Sequence, residues 1–265
     1  MRRLALRFGV FAYLAIILLG PLAMVLWRTF GAGLGPVWAA LDSYDLLHAL
    51  GLSLLITLIA VPINTIFGVA FATALTRQRM PLGRLFSVVV DLPLGLCPVV
   101  VGLALYILYG RGGWFGTFLL AHGIRVLFAL PGMVLATVFV TLPFVAREVV
   151  PLMRALGTEQ EEAAATLGAT PGQILRRVTL PAIRTAVEYG MVLTAAFSLG
   201  EYGAMSVVSG SILGVTETLT IHIQSAYDSF DATGAYVSAV ILLVLAMAIL
   251  VAMNALRPKE ASHGH

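Results

Sequence analysis

Thr158-Glu159-Gln160-Glu161-Glu162-Ala163-Ala164-Ala165-Thr166-Leu167-Gly168-Ala169-Thr170-Pro171-Gly172-Gln173 is a polar insert in a chain that is otherwise mostly apolar. It carries two helix starts in tandem. Thr158 with Glu161 fits a capping box, and Glu159, Glu161 and Glu162 place negative charge in the first turn, where the helix dipole favours it. Gly168 is positioned to end that helix in a left-handed conformation. Thr170, Pro171 and Gln173 supply a second N-cap, a proline at the first helical position and a second capping box. Arg176 and Arg177 then suit the negative end of the second helix, and Pro181 is expected to stop it. The pattern predicts a helical elbow. Its first arm, Glu162-Ala163-Ala164-Ala165, presents mainly methyl groups, so another backbone can approach closely. That favours docking of a soluble partner over an amphipathic pair lying on a bilayer, which would need large apolar residues along one face.

Around the elbow the chain is built for lipid. Of its 265 residues 60% are hydrophobic and 11% charged, against about 45–50% and about a quarter in soluble domains. A hydrocarbon core of about 30 Å takes about 20 apolar residues per helix. Six stretches qualify: 8–27, 50–75, 85–109, 126–145, 187–208 and 235–256. The expected fold is an all-α integral membrane protein with six transmembrane helices. Arg2, Arg3 and Arg7 precede the first stretch, but its apolar run exceeds a signal-peptide core and no A-x-A-like site follows, so it is expected to stay as an anchor.

Positive charge sets the orientation. One side of the six spans holds thirteen Lys and Arg residues, among them Arg77, Arg147, Arg154, Arg176, Arg177 and Arg184; the other holds only Arg28, Arg111 and Arg125. Both termini, and the insert within 147–184, are therefore expected in the cytoplasm. The organisation expected is an anchor helix and external loop over 1–48, a transmembrane domain over 49–256 with its coupling loop at 154–184, and a polar cytoplasmic tail over 257–265.

Several spans are interrupted: Asp91, Pro93, Gly95 and Pro98 in the third, Pro62 and Asn64 in the second, Pro131 and Pro143 in the fourth. Proline frees backbone groups that neighbouring helices or a water-filled path must satisfy. Packing kinks and a path lined by broken helix both fit. Asp91 and Glu201 are intramembrane carboxylates, where burial of charge is costly; a structural partnership with an arginine or an adjacent-subunit donor suits them better than contact with an anion. The end of the fifth span offers hydroxyls at Ser198, Ser206, Ser209 and Ser211, which could give weak, replaceable donors to a passing solute or bond their own helix.

Other chemistries find no residues. Cys97 is the single cysteine, and the five histidines are scattered apart from His263 and His265 on the tail, so no metal site is expected. No paired Cys–His or Ser–His arrangement suggests a membrane enzyme. No basic patch with interleaved aromatics suggests nucleic acid. The single lysine, Lys259, precedes Glu260 without the glycine frame of a phosphate-binding loop, so the chain is not an ATPase. Gly110-Arg111-Gly112-Gly113 reads as an external turn. The external stretch 209–234 carries Glu217, Asp228 and Asp231 without Lys or Arg, a poor anion receptor by itself.

Glu162-Ala163-Ala164, three residues, Gly168, nine residues, Val178, one residue and Leu180-Pro181 resemble the EAA loop of bacterial ABC importer permeases, with Val178 in place of the usual isoleucine. The resemblance implies a type I ABC importer permease architecture whose cytoplasmic coupling helices sit in a groove of the ATPase, a role carried onto Glu162, Ala163, Ala164, Gly168, Leu180 and Pro181. Asp91-Leu92-Pro93, Phe128-Ala129-Leu130-Pro131-Gly132, Phe144-Val145-Ala146-Arg147-Glu148 and Gly200-Glu201-Tyr202-Gly203-Ala204 are similar to the sulfate/thiosulfate permeases, nearer the W-type subunit than its T-type partner. Ser198-Leu199 departs from the arginine-containing run expected there.

The resemblance implies a non-catalytic permease subunit of the bacterial inner membrane. Its partners would be a T-type permease subunit, two copies of a cytoplasmic ABC ATPase holding ATP and Mg, a periplasmic sulfate/thiosulfate-binding protein and membrane lipid. No cofactor is expected on this chain. Molybdate or tungstate, also tetrahedral dianions, would suit the same architecture. A proton-coupled secondary transporter using Asp91 or Glu201 would leave the elbow unexplained.

Overall fold

The computed structural model describes residues 2–31, 33–77 and 83–256, and no strand occurs among them. The chain enters through α1 (Arg2–Phe30), the short α2 (Leu34–Leu41) and α3 (Tyr44–Arg77). At 34 residues, α3 is about 50 Å long at 1.5 Å per residue. It therefore outreaches the hydrocarbon and carries Arg77 beyond it. The boundary expected at residue 48 falls inside this helix.

The third expected span is not one helix. α4 (Gly83–Gly95) and α5 (Pro98–Tyr109) meet at a 106° bend. Pro98 starts α5 with Cys97 extended before it, because the ring of a proline disfavours helical geometry in the residue ahead. The fourth expected span begins later and runs further than 126–145. α7 (Leu130–Thr141) and α8 (Pro143–Leu156) form a continuous apolar segment of 27 residues. At their junction the Leu142 amide turns to Phe139 O, and the Val138 carbonyl instead accepts from Asn64 Nδ2 at 3.1 Å. Asn64, fully buried, also donates to Thr141 Oγ1 at 2.7 Å. A neighbouring helix thus satisfies the carbonyl released next to a proline.

Beyond the insert, α11 (Leu180–Gly200) and α12 (Gly203–Val208) are separated by a break at Glu201-Tyr202. The expected 187–208 span is therefore two helices. The chain finishes with α13 (Leu219–Asp228) and α14 (Ala232–Leu256). α3, the continuous α7–α8 segment and α14 are individually long and apolar enough to cross a membrane, and bent pairs such as α4–α5 add broken spans. The architecture is helical and membrane-embedded, with three such helices among the described residues, or up to five spans when each bent pair is taken as one. The tail over 257–265 lies outside the described residues.

The centre of the bundle is the mutual packing of α3, α8 and α11. Val145 on α8 is its pivot. A Cβ added to Gly68 on α3 or to Gly190 on α11 would lie 2.7 Å from Val145 atoms, so glycine at both places lets three backbones close on one side chain. Towards the insert, Ala72, Val149, Met153 and Ile183 complete this cluster. At the far end α5 packs on α12 and α7 through Val101, Met133, Ala204 and Val208. α14 packs on α13 and α11. Ser53 Oγ on α3 accepts the Leu219 amide at 2.8 Å, capping α13 from outside.

Candidate coupling site and carboxylate positions

The insert folds into the expected elbow, with two differences. α9 (Glu159–Thr166) ends at Gly168, whose φ of +85° and the bonds Ala169 N to Ala164 O (3.1 Å) and Gly168 N to Ala165 O (2.9 Å) form a Schellman closure. α10 (Pro171–Ile174) starts with the Thr170–Gln173 capping box, the Thr170 amide donating to Gln173 Oε1 at 2.8 Å. The first capping box does not form. Thr158 Oγ1 donates to Glu162 Oε1 at 2.6 Å, one turn on, because Glu161 is taken elsewhere.

Pro181 does not stop the second arm. A π-helical turn over Leu175–Thr179 links α10 directly to α11, the Leu180 amide reaching back to Leu175 O. The widened turn accommodates the ring and missing N–H of Pro181. The second arm of the elbow is therefore continuous with α11.

Glu161 is what anchors the elbow. Its Oε2 lies 2.7 Å from Arg77 Nε, and its Oε1 accepts from Thr179 Oγ1 at 2.8 Å. Arg77 also donates from Nη1 to Met153 O at 3.1 Å. One carboxylate and one guanidinium thus tie α9 to the ends of α3 and α8 and to the π turn. The Arg77 and Glu161 side chains are only 15% and 18% exposed. The free volume left among Arg77, Gly157, Glu161, Val178, Thr179 and Ile183 is about 10 Å³, no more than one water. The joint is close-packed.

The tip is the opposite. Glu162, Ala163 and Gly168 are exposed, Ala164 is half-buried, and Leu180 and Pro181 are exposed at the start of α11. Leu167 stands 89% exposed beside Gly168. Glu161 and Leu167 were not singled out from the sequence as site residues. Leu167 had a signal, as the lone large apolar residue of its arm. Glu161 had only its spacing from Thr158, which pointed to the wrong partner.

Asp91 pairs with an arginine: Arg147 Nε donates to Asp91 Oδ1 at 2.9 Å, joining α4 to α8, with both side chains partly exposed. Glu201 does not. It is buried at the α11–α12 break, where Oε1 accepts the Ala204 amide at 2.8 Å and its main-chain carbonyl accepts Thr220 Oγ1 at 2.8 Å. The break exposes the first amides of α12, and the carboxylate caps them locally. No arginine is needed to hold it there.

The serine hydroxyls are mostly engaged. Ser198 Oγ donates to Thr194 O (2.7 Å), Ser206 Oγ donates to Gly203 O (2.8 Å), and Ser209 Oγ accepts the Ser211 amide (3.0 Å). Ser211, exposed at a φ of +50°, has no hydroxyl partner among the described residues. No group of three His, Cys, Asp or Glu residues with metal-site geometry occurs among the described residues.

A helical bundle with an exposed elbow rooted in its longest spans is the shape of a type I ABC importer permease. Over 98% of this chain and 95% of the other, the fold matches a chain of a bacterial alginate ABC transporter crystallised with its pentasaccharide-bound periplasmic protein, with a TM-score of 0.79 at 15% identity. A chain of the MetNI methionine ABC transporter in an inward-facing conformation matches with a TM-score of 0.57 over 81% of this chain and 95% of the other, at 20% identity. At such identities the likeness is one of fold.

Residues 65–260 match the family described as binding-protein-dependent transport system inner membrane component, and the chain belongs to that family. Among its relatives, the sulfate transport system permease protein CysW of Synechocystis sp. is 45% identical over 95% of this chain and 91% of its own length. CysW of Escherichia coli is 44% identical over 89% and 81%, and CysT of Synechococcus elongatus 34% identical over 92% and 88%. The chain is a non-catalytic permease subunit of an ABC transport system.

Proposed function

We propose that this chain is the W-type permease subunit of an ATP-driven sulfate/thiosulfate importer. Identity of 44–46% with proteins named as CysW, against 33–34% with those named as CysT, supports both the substrate and the position in the assembly. In this proposal the chain pairs with a T-type permease, two ABC ATPases holding ATP and Mg dock on the cytoplasmic face, and a periplasmic protein delivers the anion. The thirteen-to-three distribution of Lys and Arg supports cytoplasmic termini.

The observation that carries the mechanism is the anchoring of an exposed elbow to the ends of α3 and α8 and to the π turn by Glu161 and Arg77. Glu162, Ala163, Ala164 and Gly168 form the surface an ATPase groove receives, with Leu180 and Pro181 at the root that passes motion on. ATP closes the ATPase pair, the elbow shifts, and the Arg77–Glu161–Thr179 joint transmits the shift to α3, α8 and α11 together. The Val145 pivot lets those helices turn as one packed unit, alternating the access of the path. In the conformation described, Ser198 and Ser206 spend their hydroxyl hydrogens on their own helices. A path role for them, for Ser209 and for Ser211 requires those donors to turn, and Ser211 is the one already free to meet an anion. Asp91 and Glu201 serve structure, one as an ion pair between helices and the other as a cap.

The test is uptake of labelled sulfate into vesicles holding the assembled transporter, with thiosulfate and molybdate as competitors. ATP-dependent sulfate uptake blocked by thiosulfate is expected. Molybdate outcompeting sulfate at equal concentration would transfer the proposal to a molybdate or tungstate importer. Uphill transport by this chain alone without nucleotide would overturn the coupling mechanism and favour a secondary transporter.

A further inference from the structure

We infer that Arg111 and Arg125 form an oxyanion-receiving vestibule at the end of the bundle opposite the elbow; this rests on the importer proposed above. The two arginines line one cavity of about 750 Å³, walled by Tyr106, Tyr109, Leu127 and Phe128. Its place in the fold follows from the helices that bound it. The α7–α8 segment starts at Leu130, just past Phe128, and ends at Leu156, next to the elbow. Its 27 residues put about 40 Å between the two sites at 1.5 Å per residue.

Charge marks the cavity as an anion site. Of the three Lys and Arg residues on this side of the spans, two line it and no carboxylate does. Among the described residues neither arginine makes an ion pair. Two acidic residues of this end, Asp45 and Asp231, line a separate cavity instead. A divided face of this kind steers a dianion towards its basic half, and low-dielectric aromatic walls concentrate the field there. Each guanidinium offers a planar fork of donors that matches a tetrahedral oxyanion. The volume admits the ion with its water, which avoids the full cost of dehydration.

The backbone beneath both arginines is built to hold position. Gly113 N donates to Gly110 O at 2.8 Å and Thr117 Oγ1 to Arg111 O at 3.1 Å. A Cβ at Gly113 would collide with the carbonyls of Ile107 and Leu108, so the Gly110-Arg111-Gly112-Gly113 turn packs against α5 at Gly113 too tightly for a side chain at that position. On the facing segment, Val126 O accepts from Gly132 N, and Phe128, at a φ of +57°, donates its amide to Val208 O, both at 2.9 Å. Phe128 is thereby tied to α12, which the Glu201 cap starts. A vestibule so connected would hold the ion while the helices below change access.

The experiment counts labelled sulfate ions moved per ATP hydrolysed by the complete transporter in proteoliposomes with its binding protein. Arg111→Gln/Arg125→Gln is expected to lower that ratio about tenfold, in line with the lower end of electrostatic focusing, and to flatten the dependence of uptake on ionic strength. Arg111→Lys/Arg125→Lys should keep most of the ratio. If the double glutamine form does not assemble, the single variants carry the same comparison with a smaller fall. An unchanged ratio in the glutamine variants overturns the inference. So does a parallel fall in uptake and ATP hydrolysis that excess binding protein restores, which would make the arginines a protein-docking contact. A wild-type transporter that moves no sulfate would instead defeat the importer proposal itself.

Discussion

Glu161 and Arg77 meet at 2.7 Å, joining the elbow to the end of a 34-residue helix. Because both are largely buried and Glu161 also accepts from Thr179, removing either partner leaves a desolvated charge, at a cost of about 3–5 kcal/mol for a fully buried pair and less here. Glu161→Gln keeps size and one acceptor while deleting the charge. It is expected to lower sulfate-stimulated ATP hydrolysis about tenfold with the transporter still assembled, and Arg77→Ala should do the same. Purification of the intact complex followed by ATPase assay checks this. Full stimulation in both variants would show that the pair transmits nothing.

Leu167 is 89% exposed at the tip of the same elbow. A large apolar side chain so placed is a candidate anchor for a partner's pocket. Leu167→Asp should abolish retention of the ATPase on the purified permease pair and leave the thermal unfolding of that pair unchanged, since the side chain contributes almost no burial. Retention at the wild-type level would mean that docking rests on the alanines alone.

At the pivot, Gly190→Ala places a methyl group against Val145 Cα, which is backbone and cannot yield easily. Overpacking of this kind costs about 1–3 kcal/mol, which should lower the unfolding temperature in detergent. Gly68→Ala should behave similarly but be partly relieved by Val145→Ala, because the atoms it meets belong mainly to the Val145 side chain. Val145→Ala should relieve Gly190→Ala less. Equal relief in both would argue that the helices separate rather than the side chain yielding.

Glu201 acts through its side-chain carboxylate as acceptor for the Ala204 and Gly203 amides at the start of α12. Glu201→Gln preserves that acceptor, so assembly and transport should stay near wild type. Glu201→Ala removes it, and loss of a capping group costs about 1 kcal/mol. Uptake assays on both variants separate a cap from a charge: severe loss with glutamine would show that the charge itself matters.

Glu217, just ahead of α13, is buried 3.1 Å from His222 Nδ1. Burial alone would raise its carboxyl, but the hydrogen bonds from His222 and Ser225 and the His222 charge outweigh it and hold the group below the ordinary carboxylate value. A depressed folded-state value means the contribution to stability is complete above the ordinary carboxylate range. It fades as pH falls through that range towards the depressed value, because the unfolded chain takes up its proton first. Glu217→Gln should remove this part of the acid sensitivity in thermal unfolding measured against pH. An unchanged acid limb would place the sensitivity elsewhere.

Much of this was legible in one dimension. Composition decided the solvent, since so apolar a chain cannot cover a water-facing surface. Gly168 and Thr170–Gln173 announced their turn and cap because a left-handed residue and a capping box are properties of a few consecutive residues. The elbow and its small-residue face followed from the same local rules, and the EAA spacing made the family recognisable. Other assignments failed where a distant residue competed. Glu161 was read as a capping partner for Thr158, yet Arg77, 84 positions away, takes it because an ion pair in a close-packed joint outweighs a solvent-exposed cap. Pro181 was read as a stop, yet a π turn absorbs it because α11 is held in line by α3 and α8.

The sequence by itself settled that this is a multi-helix membrane protein with a helical elbow, because hydropathy and helix signals are summed or read locally along the chain. Only the tertiary structure decided what the elbow is tied to, that Glu201 caps a broken helix, and that Arg111 and Arg125 share a cavity. Each of those depends on groups far apart in sequence meeting at a few ångströms, and helix packing rather than local propensity chooses which of them meet.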